Sequence, residues 1–184
     1  MRGKRWIYLI NDWRDSMKAK LIVEGKEFEV TINHPELEKL VKPEKKTGYE
    51  RVDNTKIYYT VTCDNVIADY REKDSTFNTQ SYEIANYYSD KTIAENNARA
   101  DKLMRQLRRF SVEHREKEID WNNWEQKKCK ICFDCHGKEL FADHFSYLKD
   151  LFAIYFDSEE TAKLAIETFH DELIWYFTEY KDSL

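Results

Sequence analysis

Three cysteines and a histidine fall within eight positions, Cys129-Lys130-Ile131-Cys132-Phe133-Asp134-Cys135-His136. Thiolate and imidazole are the ligands zinc prefers, and two-residue gaps recur in its sites. A closed zinc site takes four ligands, which makes Cys129, Cys132, Cys135 and His136 the candidate metal set, with His144, Cys63 or His114 as helpers. The surrounding pattern argues for a different role. Lys128–Asp134 and Lys138–Asp143 alternate apolar and polar residues around Cys135-His136-Gly137, as a β-hairpin does. In a strand Cys129 and Cys132 face opposite ways, whereas a zinc knuckle needs a turn there. The competing reading is a set of ordinary hairpin cysteines and no cofactor. Cys132 to His136 also matches the C-x-x-C-H pattern of haem attachment, but that requires export, and no signal peptide is legible. A redox C-x-x-C opens a helix after a strand, and this one does not.

A second chemistry is positive charge. Between residues 99 and 109 there are five basic residues and one acidic, Asp101. Helical spacing gathers Ile93, Asn97, Ala100, Leu103, Met104, Leu107 and Phe110 into one apolar stripe. It places Lys102, Arg105, Arg108 and Arg109 on the other side. Such a row, extended by Arg115, suits phosphates or an acidic protein surface. Alternatively it is a solvated face paired with Asp101 and Glu113.

Near the C-terminus, Leu164 and Trp175 lie off the stripe formed by Ala162, Ala165, Ile166, Phe169, Leu173, Tyr176, Phe177 and Tyr180. A continuous helix leaves them flanking an exposed patch, where tryptophan is a typical partner-binding anchor. A break near His170-Asp171 turns Trp175 inward instead. Enzyme chemistry has no support. The pairs Glu159-Glu160 and Asp171-Glu172 point in different directions on a helix, and His34, His114, His144 and His170 have no visible partner. No phosphate-binding loop or G-x-S-x-G occurs.

The elements that position these groups read as an α+β fold: antiparallel β-hairpins packed with one long central helix and a C-terminal helix. Lys18–Val23 and Lys26–Ile32 form one hairpin. A short helix capped at Asn33 or His34 runs to about Val41, and a linker covers 42–47. Gly48–Val52, Lys56–Cys63 and Val66–Tyr70 are strands, and Arg71–Tyr82 an irregular loop. Ser89 caps the long helix, which continues to about Lys117. Leu151–Phe156 is a strand. The domains are an extension at 1–16, a hairpin with a short helix at 17–47, and a main α+β domain at 48–184.

Composition agrees with a folded protein: 35% charged, 41% apolar, four Gly and two Pro. Twelve Tyr, ten Phe and five Trp suit either strand interiors or contact surfaces. A net charge of −5 and a pI near 5.6 speak against nucleic-acid binding by whole-surface charge, though not by a local patch. The apolar run WIYLI is too short for a signal peptide or membrane span. The expectation is a soluble cytoplasmic protein with reduced cysteines.

MKAKLIVEGKEFEV at 17–30, GYERV at 48–52 and ANYYSDKTIAENNARADKLMRQLRRF at 85–110 carry a resemblance that continues through IDWNNWEQKK at 119–128 and IYFDSEETAKLAIETFHDELIWYF at 154–177. The chain resembles a family of small accessory proteins of Firmicutes phages and prophages that includes a type II-A anti-CRISPR. The resemblance implies evasion of host defence by protein–protein interaction in the bacterial cytoplasm. The implied partner is Cas9 or its guide-RNA complex, with target DNA recognition or cleavage blocked. A phage regulatory protein that binds nucleic acid is the alternative, and exposed aromatics allow a homodimer. No catalytic residue carries over. The family pattern has aromatic residues where this chain has Cys129, Cys132 and Cys135.

Overall fold

The computed structural model describes residues 7–10, 17–23, 26–32, 46–145 and 148–182. The chain divides into two compact units, Met1–Lys46 and Thr47–Leu184. In the first, β1 (Ile7–Ile10), β2 (Met17–Val23) and β3 (Lys26–Ile32) form an antiparallel sheet in that order. The β2–β3 register runs from Met17↔Ile32 to Val23↔Lys26, and that of β1–β2 from Ile7↔Leu21 to Ile10↔Lys18. The boundary expected at residue 16 therefore runs through a sheet. The short helix expected at 33–41 and residues 42–45 of the expected linker lie outside the described residues.

The second unit begins with an extended segment. Gly48–Val52, expected as a strand, pairs with no strand among the described residues and is tied by its ends instead. The Gly48 carbonyl accepts from the Ser89 amide at 2.8 Å, and the Val52 amide donates to the Tyr87 hydroxyl at 3.2 Å. Gly48 has φ of +94°, and a Cβ there would meet Ile93 Cγ1 at 2.8 Å, so the position demands glycine.

β4 (Ile57–Val61) and β5 (Ile67–Arg71) pair antiparallel. α1 (Thr76–Glu83) stands where an irregular loop was expected. Ser75 caps it, its Oγ accepting from the Asn78 amide at 3.2 Å. Its buried residues are Asn78 and Ser81, so no apolar stripe announces it.

α2 (Lys91–His114) is the 24-residue spine of this unit. Asp90, not Ser89, caps it, accepting from the Ile93 amide at 3.0 Å, while the Ser89 hydroxyl donates to Glu50 Oε2 at 2.8 Å. The two ends of α2 serve two apolar clusters. Ile93 and Ala94 join Tyr88, with Tyr49, Tyr59, Val61 and Ile67 packed alongside. Leu103, Leu107 and Phe110 join Cys129, Phe156, Ala162, Ala165 and Leu173. Asn97 lies between them and is polar for a reason: it donates to the Tyr49 hydroxyl at 2.9 Å and accepts from that of Tyr180 at 3.0 Å.

β6 (Lys128–Asp134) and β7 (Glu139–Phe145) make the second hairpin of this unit, and β8 (Tyr155–Phe156) lies on the other side of β6. β8 is two residues long, shorter than the strand expected over 151–156, because Leu151 and Phe152 form an exposed turn. α3 (Glu159–Thr168), capped by Ser158, is followed by α4 (His170–Thr178). They do not form one continuous helix. Phe169, at φ −114° and ψ 20°, separates them and sets its ring edge-on to Phe110 at 5.5 Å. The architecture is α+β, and no helix among the described residues is long and apolar enough to cross a membrane.

Candidate interaction surfaces

α2 displays its basic residues as helical periodicity requires. Lys102, Arg105, Arg108 and Arg109 are all exposed. From Lys102 to Arg109 the row spans about 10 Å, two turns of a helix whose other side is packed on both clusters. Arg105 donates to Asn65 Oδ1 in the β4–β5 turn, and Arg109 pairs with Glu113 at 3.7 Å across open solvent. Arg115 pairs with Glu118 at 2.7 Å. Among the described residues Lys102 and Arg108 make no ion pair.

The fifth basic residue of the run is committed elsewhere. Arg99 forms a fork on Glu172 of α4, with contacts of 2.8 and 3.2 Å, and its guanidinium lies 3.9 Å from the Trp175 ring centroid. Trp175 is only 8% exposed. This corrects its placement as a partner-binding anchor on an open patch. The interruption at Phe169 resets the faces of α4 relative to α3, so Trp175 turns onto Arg99 and Tyr180. Leu164, on α3, remains 45% exposed.

The cysteines disperse. Cys129 is buried in the second cluster, Cys132 is half-buried, and Cys135 lies in the exposed turn beside His136. Burial pushes the Cys129 thiol up, as do the carboxylates of Glu159, Glu160 and Asp157, and burial also pushes up that of Cys132. Of the expected helpers, His144 is the cross-strand neighbour of Cys129, His114 stacks on Phe110 at 3.8 Å, and Cys63 lies in the β4–β5 turn. Among the described residues no three His, Cys, Asp or Glu side chains gather as a metal cluster.

Two features have no counterpart in the expectations. The first is an ionic hub at Glu72, which is 1% exposed. It accepts from Arg51 at 3.1 and 3.2 Å, the Tyr87 hydroxyl at 2.8 Å, the Asp74 amide at 2.8 Å and Asn78 at 3.2 Å. The Arg51 contact foremost, against the cost of burial, holds its carboxyl at about 2. Its partners come from three stretches of chain, Arg51, Asp74 with Asn78, and Tyr87, and the charge-bearing one, Arg51, is 21 residues away, so local pattern gives no sign of it. The second is an apolar groove of about 440 Å³ beside the Leu151-Phe152 turn. Its walls come from α2, β6, β8 and α4, and only the fold brings them together.

No family model, curated protein or solved structure matches the chain.

Proposed function

We propose that this chain is a binding protein that engages a large partner through the basic face of α2. In the specific form that the sequence resemblance implies, it is a phage-encoded inhibitor that binds Cas9 or the Cas9–guide RNA complex and blocks target DNA recognition or cleavage. The observation that carries the binding role is the exposure of Lys102, Arg105, Arg108 and Arg109 together on a helix anchored along its opposite side. A rigid, forked cationic row suits guide-RNA phosphates or an acidic patch of protein. The identity of the partner rests on the resemblance alone.

The test is DNA cleavage by several type II-A Cas9 orthologues, each preassembled with guide RNA and given excess protein. Inhibition by the wild type, and its loss on Arg105→Glu with Arg109→Glu, is the expected result. Unchanged cleavage with every orthologue overturns the Cas9 reading. The same exposed row supports a second reading, direct nucleic-acid binding in phage regulation. A gel shift with bare DNA and RNA separates the two, because only the second predicts a salt-sensitive complex without a protein partner.

A further inference from the structure

Leu148, Leu151 and Phe152, in the segment before β8, are 51%, 83% and 84% exposed. Phe152 also has φ of 69°, a conformation that bulky side chains rarely adopt. A strained backbone thus holds a large apolar ring out into water, a combination found where a segment has a binding role. Leu151 and Phe152 form one wall of a groove whose other walls include Met104, Leu107, Phe133, Leu173 and Phe177. Phe177, 39% exposed, stacks on Phe133 at 5.2 Å. On its other flank Cys132 borders the groove, and the cross-strand partner of Cys132, Phe141, is 44% exposed.

We propose that this face is a two-fold self-association surface, with each copy's Leu151-Phe152 turn seated in the groove of the other. A projection and a recess in one patch are what an isologous contact requires, since each copy then offers what the other receives. The area is sufficient. The exposed fractions of Leu148, Leu151, Phe152, Phe141 and Phe177 amount to about three whole side chains, or roughly 600 Å² at ~200 Å² each. Two copies face to face then bury on the order of 1,200 Å², the lower edge of stable interfaces. The charge also fits a second copy. The lysine on the groove wall, Lys130, is paired with Asp150. A nearly neutral apolar surface offers little to steer a phosphate or a highly charged partner, but matches its own copy. Lys102, Arg105, Arg108 and Arg109 are not among the groove-lining residues, although Arg108 follows Met104 by one helical turn, and the proposal does not depend on the Cas9 reading.

Sedimentation equilibrium of the full chain, from low micromolar to several hundred micromolar, tests the proposal. The expected result is a monomer–dimer equilibrium, weakened at least ~10-fold by Leu151→Asp and by Phe152→Asn. Asparagine accepts a positive φ readily, so Phe152→Asn removes the projecting ring without lowering thermal stability. Loss of the dimer in that variant, at an undiminished melting temperature, is loss of the contact and not of the fold. A wild type that stays monomeric at the highest concentration overturns the proposal. So does a dimer that both variants form as tightly as the wild type.

Discussion

Gly48 and Glu72 show how single residues secure the second unit. Gly48 combines a positive φ with a close approach to Ile93. Gly48→Ala is expected to cost about 2 kcal/mol, from backbone strain and displacement of the Ile93 side chain, read as a lower urea midpoint at unchanged slope. Glu72 is buried with its charge, and Arg51 is its counterion. Glu72→Gln removes the charge facing Arg51, which is one third exposed and keeps Asp74 at 3.4 Å, and is expected to cost about 2 kcal/mol. The pH dependence has a definite sign. The carboxyls of Glu72 and Glu50 are held at about 2 against an ordinary 4.5, the first by Arg51 and the second chiefly by the Thr47 amide. A folded-state value below the unfolded one gives stability that is complete above about 4.5 and is lost as the pH falls towards 2. The Glu72 share is on the order of 2 kcal/mol. Thermal melts from pH 6 to pH 2 check this: the wild type should lose stability steadily, and Glu72→Gln should lose less of it across the same range.

At the scale of elements, α2 divides its labour between faces. Its packed side joins both clusters, and its open side carries the basic row. Both sides were legible from the 100° helical repeat, because burial in a long helix follows local periodicity. The hairpins β2–β3, β4–β5 and β6–β7 were legible for the same reason, alternation being a property of neighbouring residues. What escaped depends on contacts between distant residues. α1 has no apolar stripe, Gly48–Val52 is extended without a strand partner among the described residues, and Phe169 interrupts the last helix where its ring meets Phe110. Of the five residues offered for partner binding, the four on α2 are exposed, but Trp175 is not. Its burial rests on the helix break, which the sequence offered as the alternative near His170-Asp171, and on Arg99, 76 residues away, which its own neighbourhood does not announce. Arg99→Ala is expected to cost about 1 kcal/mol, modest because the ion pair is solvent-exposed. It should also move the tryptophan fluorescence maximum to longer wavelength as Trp175 becomes wetter. An unchanged spectrum would contradict the stacked geometry.

Across the whole molecule, the cysteines divide between the second cluster, a half-buried strand position and two exposed turns. Purified protein is therefore expected to carry substoichiometric zinc by elemental analysis. Stoichiometric zinc that Cys135→Ser abolishes would contradict that. The acidic total of −5 coexists with a basic row confined to one helix face, so attraction to an anionic partner is local and should be screened by salt. The most direct test of the central claim is the affinity of the full chain for immobilised Cas9–guide RNA complex, measured at low and at physiological salt. The wild type should bind, and more weakly as salt rises. Arg105→Glu with Arg109→Glu should lose at least ~10-fold in affinity while melting at the wild-type temperature. Absence of binding by the wild type, or equal binding by the charge-reversed variant, would contradict the account.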